Sequence, residues 1–337
     1  MSRWVRVGLL ALGAALLAAF LASVDYPAAR AALEGVDPAR AAVALVLLAA
    51  NVAVKAVRWR LMAARLTGRR LPLPAAAAAV LAGVASASVS PARGLDLAKP
   101  LLLHGSHGVP MASTTAAVVV ERLLDGAALA VVFGLSLAVA PPGGRPDVIP
   151  VLAAIAALAA AAGGLLWRPR FLIEPAQALA RRLPAPRREE VAASLDRFAR
   201  GLDDWRRSGL MAPLLALSVV AAGLEVARLH SVLAAVHRPA GPTQVALAFS
   251  AANLVAALSF IPGGLGVTEL SLSHLLQRLS PGPDASAAVL LDRTLSYYLV
   301  VAAGAVVLLL AARRAPPAGE DTRSRRMPYG TSRSVIR

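Results

Sequence analysis

Apolar runs about as long as a bilayer is thick recur along this chain, and they decide what it can fold into. Roughly 20 apolar residues in a helix cross the hydrocarbon core, and within lipid the backbone must satisfy its own polar groups. Long runs occupy 7–24, 41–57, 113–140, 148–167, 210–236 and 285–312, with shorter ones at 74–90, 243–261 and 267–279. With 58% hydrophobic and only 16% charged residues among 337, the composition lies outside the range of a soluble domain of this size. The expectation is an all-α polytopic membrane protein with about six full spans. Cysteine is absent, which excludes disulfides, thiolate metal sites and cysteine nucleophiles.

Charge orients these spans. The net charge is +16, a balance that nucleic-acid binding would also produce. Here the basic residues cluster between apolar runs, as the positive-inside rule describes. No nucleic acid is therefore expected as a partner, whereas anionic lipid headgroups at the cytoplasmic face are. Two Lys or Arg lie in the N-terminus, six in 55–70, ten in 168–207 and seven after residue 312, against four (Arg30, Arg40, Arg145 and Arg238) in the alternate segments. This puts residues 70, 185 and 313 inside and 143 and 239 outside, in a multi-pass protein of the cell membrane with both termini cytoplasmic. Segment 55–70 is expected as a loop with Trp59 at the interface and Asn51 and Lys55 interfacial, and 25–40 as an external connection. The run 7–24 reads as a retained helix, 189–205 as an amphipathic helix on the cytoplasmic face, and 313–337 as a disordered basic tail.

One short run is interrupted by Pro262-Gly263-Gly264-Leu265-Gly266 and followed by Glu269. Proline lacks the helix donor and glycine frees the backbone, and freed backbone inside a membrane must be buried or line a polar cavity. A shift of 171 residues places Pro91 on Pro262, Ser88 on Ser259 and Glu121-Arg122 on Asp292-Arg293, with 31 residues from proline to arginine in both copies. From residue 70 inside to 143 outside the chain crosses an odd number of times, so the pieces around Pro91 form a re-entrant hairpin. The pieces around Pro262 form another, entering from the opposite side. The expectation is two inverted repeats, 74–140 and 243–312, within one integral domain, 1–312. Inverted repeats with interrupted helices point to a transporter site near the midplane.

Inside the apolar runs the charges need partners or water, since one charge at the bilayer centre costs about 2.5–3.5 kcal/mol on insertion scales. Glu225 and Arg228, three residues apart, read as a mutual pair. The glycines at 263, 264 and 266 would let N–H groups face an anion, with the positive end of a half-helix from Val267 behind them. Arg93, Lys99, Arg122 and Arg293 would supply counter-charges to a lipid phosphate. Asp96, Glu121, Glu269 and Asp292 would hold those cations or meet a cationic headgroup. His104 and His107 fall in a glycine-rich loop and make a poor metal pair, and the glycines lack the setting of a nucleotide fingerprint. No cofactor is expected.

The chain also resembles a family, the lysylphosphatidylglycerol synthase transmembrane region, or flippase-like domain family. The resemblance rests on Pro262-Gly263-Gly264-Leu265-Gly266-Val267-Thr268-Glu269 and Glu121-Arg122-Leu123-Leu124-Asp125, both intact. A third block is softened: Pro91 and Arg93 match, but Leu95, Asp96 and Lys99 stand where the family has Gly, Glu and Arg. The resemblance covers most of 1–312 and implies movement of a phospholipid or polyprenyl-phosphate-linked lipid. Asp125 joins the candidate substrate-binding residues on the same ground. Synthase activity is not implied, because about 25 residues follow the last apolar run. A membrane-embedded enzyme acting on a lipid phosphate is the alternative, as is a non-transporting partner of an envelope-lipid biosynthetic enzyme.

Overall fold

The computed structural model describes residues 3–88, 96–140, 151–153, 155–157, 159–160, 164, 169–182, 184–238, 240–259, 261–280 and 285–314. Pro91, Arg93 and most of the run 148–167 lie outside the described residues, as does 315–337. Everything described is helix, turn or loop, with no strand among the described residues.

Helix α1 (Arg3–Ala22) turns through 78° into α2 (Tyr26–Glu34). The bend falls where the Asp25 carboxylate accepts the Ala28 N–H and caps the second helix. The expected connection at 25–40 is thus itself partly helical. Helix α3 (Pro38–Thr67) starts on an Asp37 cap with proline in its first turn. It runs 30 residues before Gly68, at φ 69°, returns its N–H to the Ala64 carbonyl. This corrects the reading of 55–70 as a loop. Nothing between Val57 and Gly68 breaks a helix, so the basic residues stay on α3, and Arg58 and Trp59 are buried rather than interfacial.

There follow α4 (Leu73–Ser88), α5 (Ala98–His107), α6 (Met111–Val139), α7 (Pro169–Ala180), α8 (Ala185–Arg206) and α9 (Met211–Ala235). Then come α10 (Pro242–Leu258), a tight turn at Pro262–Gly264, and α11 (Val267–Leu279). Finally α12 (Ser286–Arg293) passes through a π-turn, Thr294–Tyr298, into α13 (Leu299–Arg314). Three stretches are long and apolar enough to cross a membrane, Pro38–Thr67, Met211–Ala235 and Ser286–Arg313, and the bent α1–α2 pair makes a fourth. Helix α6 has comparable length, 29 residues, but carries three charges. The protein is an all-helical, multi-pass membrane protein.

Helices α3 and α9 pack along each other at the centre, with α4 against α13 on one flank and α10 against α6 on the other. One apolar core gathers Leu229 and Leu233 of α9, Phe249 and Leu254 of α10, and Leu272 and Leu276 of α11. A second joins Trp59 and Met62 of α3, Val120 of α6, and Leu202 and Trp205 of α8. Those last two contacts seat the amphipathic α8 on α6. Small residues set the closest crossings, as expected where lipid gives no hydrophobic drive between helices. A Cβ on Gly304 of α13 would overlap the Leu81 carbonyl of α4.

Gly304→Val should therefore lower stability by about 1–3 kcal/mol, the usual penalty of overpacking. Gly134→Ala, with open space around it, should be neutral. Thermal unfolding in detergent checks both.

Candidate functional site

The buried charges form two clusters with a bridge between them. In the first, Arg58 reaches from α3 to α6, donating to Glu121 Oε1 at 2.8 Å, to Asp125, and to Ser218 of α9 at 2.6 Å. Lys99 of α5 meets the other Glu121 oxygen at 2.7 Å and Asp96 at 3.1 Å, with its ammonium 4.7 Å from the Trp59 ring centroid. Asp96 also accepts the Lys99 N–H, and Ser86 accepts that of Ala98, which satisfies the start of α5. Gly83 leaves the room on α4 that the Asp96 carboxylate fills.

In the second cluster, Arg228 of α9 grips Asp292 of α12 with two donors, Nε at 3.0 Å and Nη2 at 3.3 Å. Arg293 pairs with Glu269 at the start of α11, at 2.6 Å, and stacks 4.4 Å from the Tyr297 ring centroid. The bridge is Lys55 of α3 with Glu225 of α9, at 2.5 Å. One turn away Asn51 donates to the Ala221 carbonyl at 2.8 Å. The expected mutual pair of Glu225 and Arg228 is thus not formed. Both face away to partners on other helices, because Asp292 offers Arg228 two oxygens in line with its guanidinium.

Two cavities share the bridge as a common wall. One, of about 160 Å³, is lined by Arg228, Asp292, Arg293, Lys55 and Glu225. The other, of about 340 Å³, is lined by Arg122, Asp125, Ser218, Gly263 and the same Lys55 and Glu225. Lys55 and Glu225 have about a quarter of their side-chain surface exposed, where Arg58, Lys99, Glu121 and Arg228 are nearly sealed. The candidate residues therefore divide. Arg122, Asp125, Gly263, Asp292 and Arg293 face a cavity, whereas Asp96, Lys99 and Glu121 are locked in ion pairs away from both.

The glycine break serves close approach as well. Gly263, Gly264 and Gly266 all have positive φ, 63°, 62° and 77°. A Cβ on Gly266 would run into the backbone of α1 at Leu16, and one on Gly263 into the Tyr297 hydroxyl. Helix α1 thus lies against the start of α11, and the π-turn lays Tyr297 over the break.

A family model of the lysylphosphatidylglycerol synthase TM region matches residues 4–304. The chain belongs to this family. Membership ties it to a function in membrane lipid. No curated protein gives a match. For a member of the lysylphosphatidylglycerol synthase TM region, the middle block has a clear structural sense here: Glu121 and Asp125, one turn apart, hold Arg58, and Arg122 between them turns to the cavity. Arg58, Lys55 and Glu225 escape a search for motifs. Applying the repeat offset one helix earlier would have found them, since Arg58 and Lys55 fall 170 residues before Arg228 and Glu225.

Replacing Arg58 by Met should cost about 3–5 kcal/mol, because two buried carboxylates lose their counter-charge. Arg122→Gln, on a side chain 37% exposed, should cost under about 1 kcal/mol. Denaturant or thermal unfolding of the two variants measures the contrast.

Proposed function

We propose that this protein moves a phosphate-bearing lipid, a phospholipid or a polyprenyl-phosphate-linked lipid, between leaflets of the cell membrane. The headgroup passes through the two cavities flanking Lys55 and Glu225 while the acyl chains stay in lipid. The observation that carries this reading is the shared wall: two polar cavities inside an apolar bundle, meeting at one half-exposed ion pair. Arg122 and Lys55 meet the phosphate in the larger cavity, and Arg293 and Arg228 in the smaller. Nη2 of Arg293 is buried without a hydrogen-bond partner among the described residues, which leaves it a donor for the ligand.

Two inverted units support alternating exposure of such a path. Helices α4, α5 and α6 start at 73, 98 and 111, and α10, α11 and α12 at 242, 267 and 286. The Arg58–Glu121 contact spans 63 residues and the Arg228–Asp292 contact 64. Asn51 and Lys55 touch Ala221 and Glu225, each 170 residues on. Equivalent residues of two repeats meet only near the axis that relates them, so this axis passes through the ion pair. The charge bias supplies the orientation, with the end of α3 and helix α8 cytoplasmic. In this reading the chain adds no chemistry to the lipid, and movement is downhill or ion-coupled.

Reconstituted in vesicles with fluorescent phospholipid or polyprenyl phosphate, the wild-type protein should speed exchange between leaflets. The double variant Lys55→Gln/Glu225→Gln keeps a neutral hydrogen-bonded pair but removes the charge that meets phosphate. It should fold and lose about tenfold or more in rate, the worth of a charged hydrogen bond. Exchange equal to that of protein-free vesicles, for every lipid tried, would contradict the proposal.

A further inference from the structure

Away from the central cavities, a groove of about 630 Å³ opens where the last turn of α3, the start of α6 and helix α8 meet. Arg65, Arg197 and Arg200 stand around it, with Asp204 on its rim and Trp205 in its wall. The guanidinium of Arg65 lies 5.9 Å from the Trp205 ring centroid and donates to the Asp204 carbonyl at 3.4 Å. Arg197 donates to the Ser194 hydroxyl and Arg200 to the Asp196 carbonyl. No carboxylate comes within 4 Å of these three guanidinium groups among the described residues. Elsewhere on the surface the protein pairs its arginines: Arg30 with Glu34, Arg40 with Asp37, and Arg206 and Arg207 with Asp203. Three guanidinium groups against one rim carboxylate leave the groove with an excess of about two positive charges.

We propose that this groove is a binding site for a phosphate group, carried by an anionic lipid headgroup or by free phosphate. Guanidinium suits the task, since its planar fork matches phosphate oxygens and holds its charge at any physiological pH. The walls are fixed: Gly201 of α8 sits against Ala116 and Ser113 of α6, so close that an added Cβ would come within 2.9 Å of the Ala116 Cβ. The floor is the buried Trp205. Val109, Pro110 and Ser113 bring the start of α6 to the same groove, and no side chain caps that helix end, so its positive pole adds to the field of the arginines. The groove sits at the end of the Pro38–Thr67 span, followed by Arg69 and Arg70, at the height where headgroups lie. This site is independent of the transport path proposed above, and its fate does not decide that of the path.

The test uses the full chain in a zwitterionic detergent. Binding is followed by native mass spectrometry and thermal shift with added phosphatidylglycerol, phosphatidylcholine or inorganic phosphate. Two variants of equal charge are compared with wild type: Arg65→Gln/Arg197→Gln/Arg200→Gln, and the control Arg181→Gln/Arg187→Gln/Arg188→Gln, on exposed arginines outside the groove. Phosphatidylglycerol should bind at least about tenfold more weakly to the groove variant than to the control, as expected for three lost charges near an anionic headgroup. If inorganic phosphate also protects wild type and not the groove variant, the source is free phosphate as well as lipid. Should the triple variant unfold, Arg197→Gln and Arg200→Gln alone are each expected to weaken binding about threefold. Equal loss in groove variant and control, no loss in either, or equal binding of phosphatidylcholine would overturn the proposal.

Discussion

An arginine inside an apolar bundle has to meet a carboxylate, and in this protein that requirement ties the helices together. Arg58 and Arg228 stand on the two helices that pack at the centre, α3 and α9. Each reaches sideways to an acid on a flanking helix, Glu121 on α6 and Asp292 on α12. Lys55 and Glu225 then join α3 to α9 directly. Buried pairs of this kind add little net stability compared with apolar residues of the same size. Their effect is on register: a helix that slides by one turn leaves a charge without its partner in lipid, at a cost of several kcal/mol. The bundle is thereby held in one arrangement although its apolar surfaces are largely alanine and would slide with little penalty.

The same pairs explain how a cavity survives in such a bundle. Arg58, Lys99 and Glu121 satisfy one another and are sealed, so they act as a fixed frame. Arg122, Asp125, Lys55 and Glu225 keep part of their surface in the open space that the frame leaves. Fixed frame and half-free charges together make a polar space that does not collapse, which is what a headgroup in transit needs.

The helices and their ends were readable from the chain because the terms that set them are local. Apolar runs marked α1, α6 and α9, and the glycines at 263–266 marked the break before α11. What could not be read locally was the pairing. Arg58 followed an apolar run and matched the description of an interfacial cation; only the absence of any helix breaker before Gly68 showed that α3 carries it into the bundle. Glu225 and Arg228 matched the spacing of a pair on one helix, yet each is taken by a residue more than 60 positions away. The glycines were read as room for an anion. Gly266 gives room to α1 and Gly263 to Tyr297, contacts between elements far apart in sequence. Long-range partners leave a trace in sequence only through the repeat, where Arg58 and Lys55 stand in step with Arg228 and Glu225.

That inverted relation is the claim on which the transport path rests, and the absence of cysteine makes it directly measurable. Ser106 near the end of α5 and Arg278 near the end of α11 are exposed and occupy matching ends of the two broken segments. Ser106→Cys and Arg278→Cys, each alone in the full chain, are labelled in sealed inside-out and right-side-out vesicles with a membrane-impermeant maleimide. The account predicts that Cys at position 106 reacts only from the cytoplasmic side and Cys at position 278 only from the opposite side. Labelling of both from the same side would contradict it.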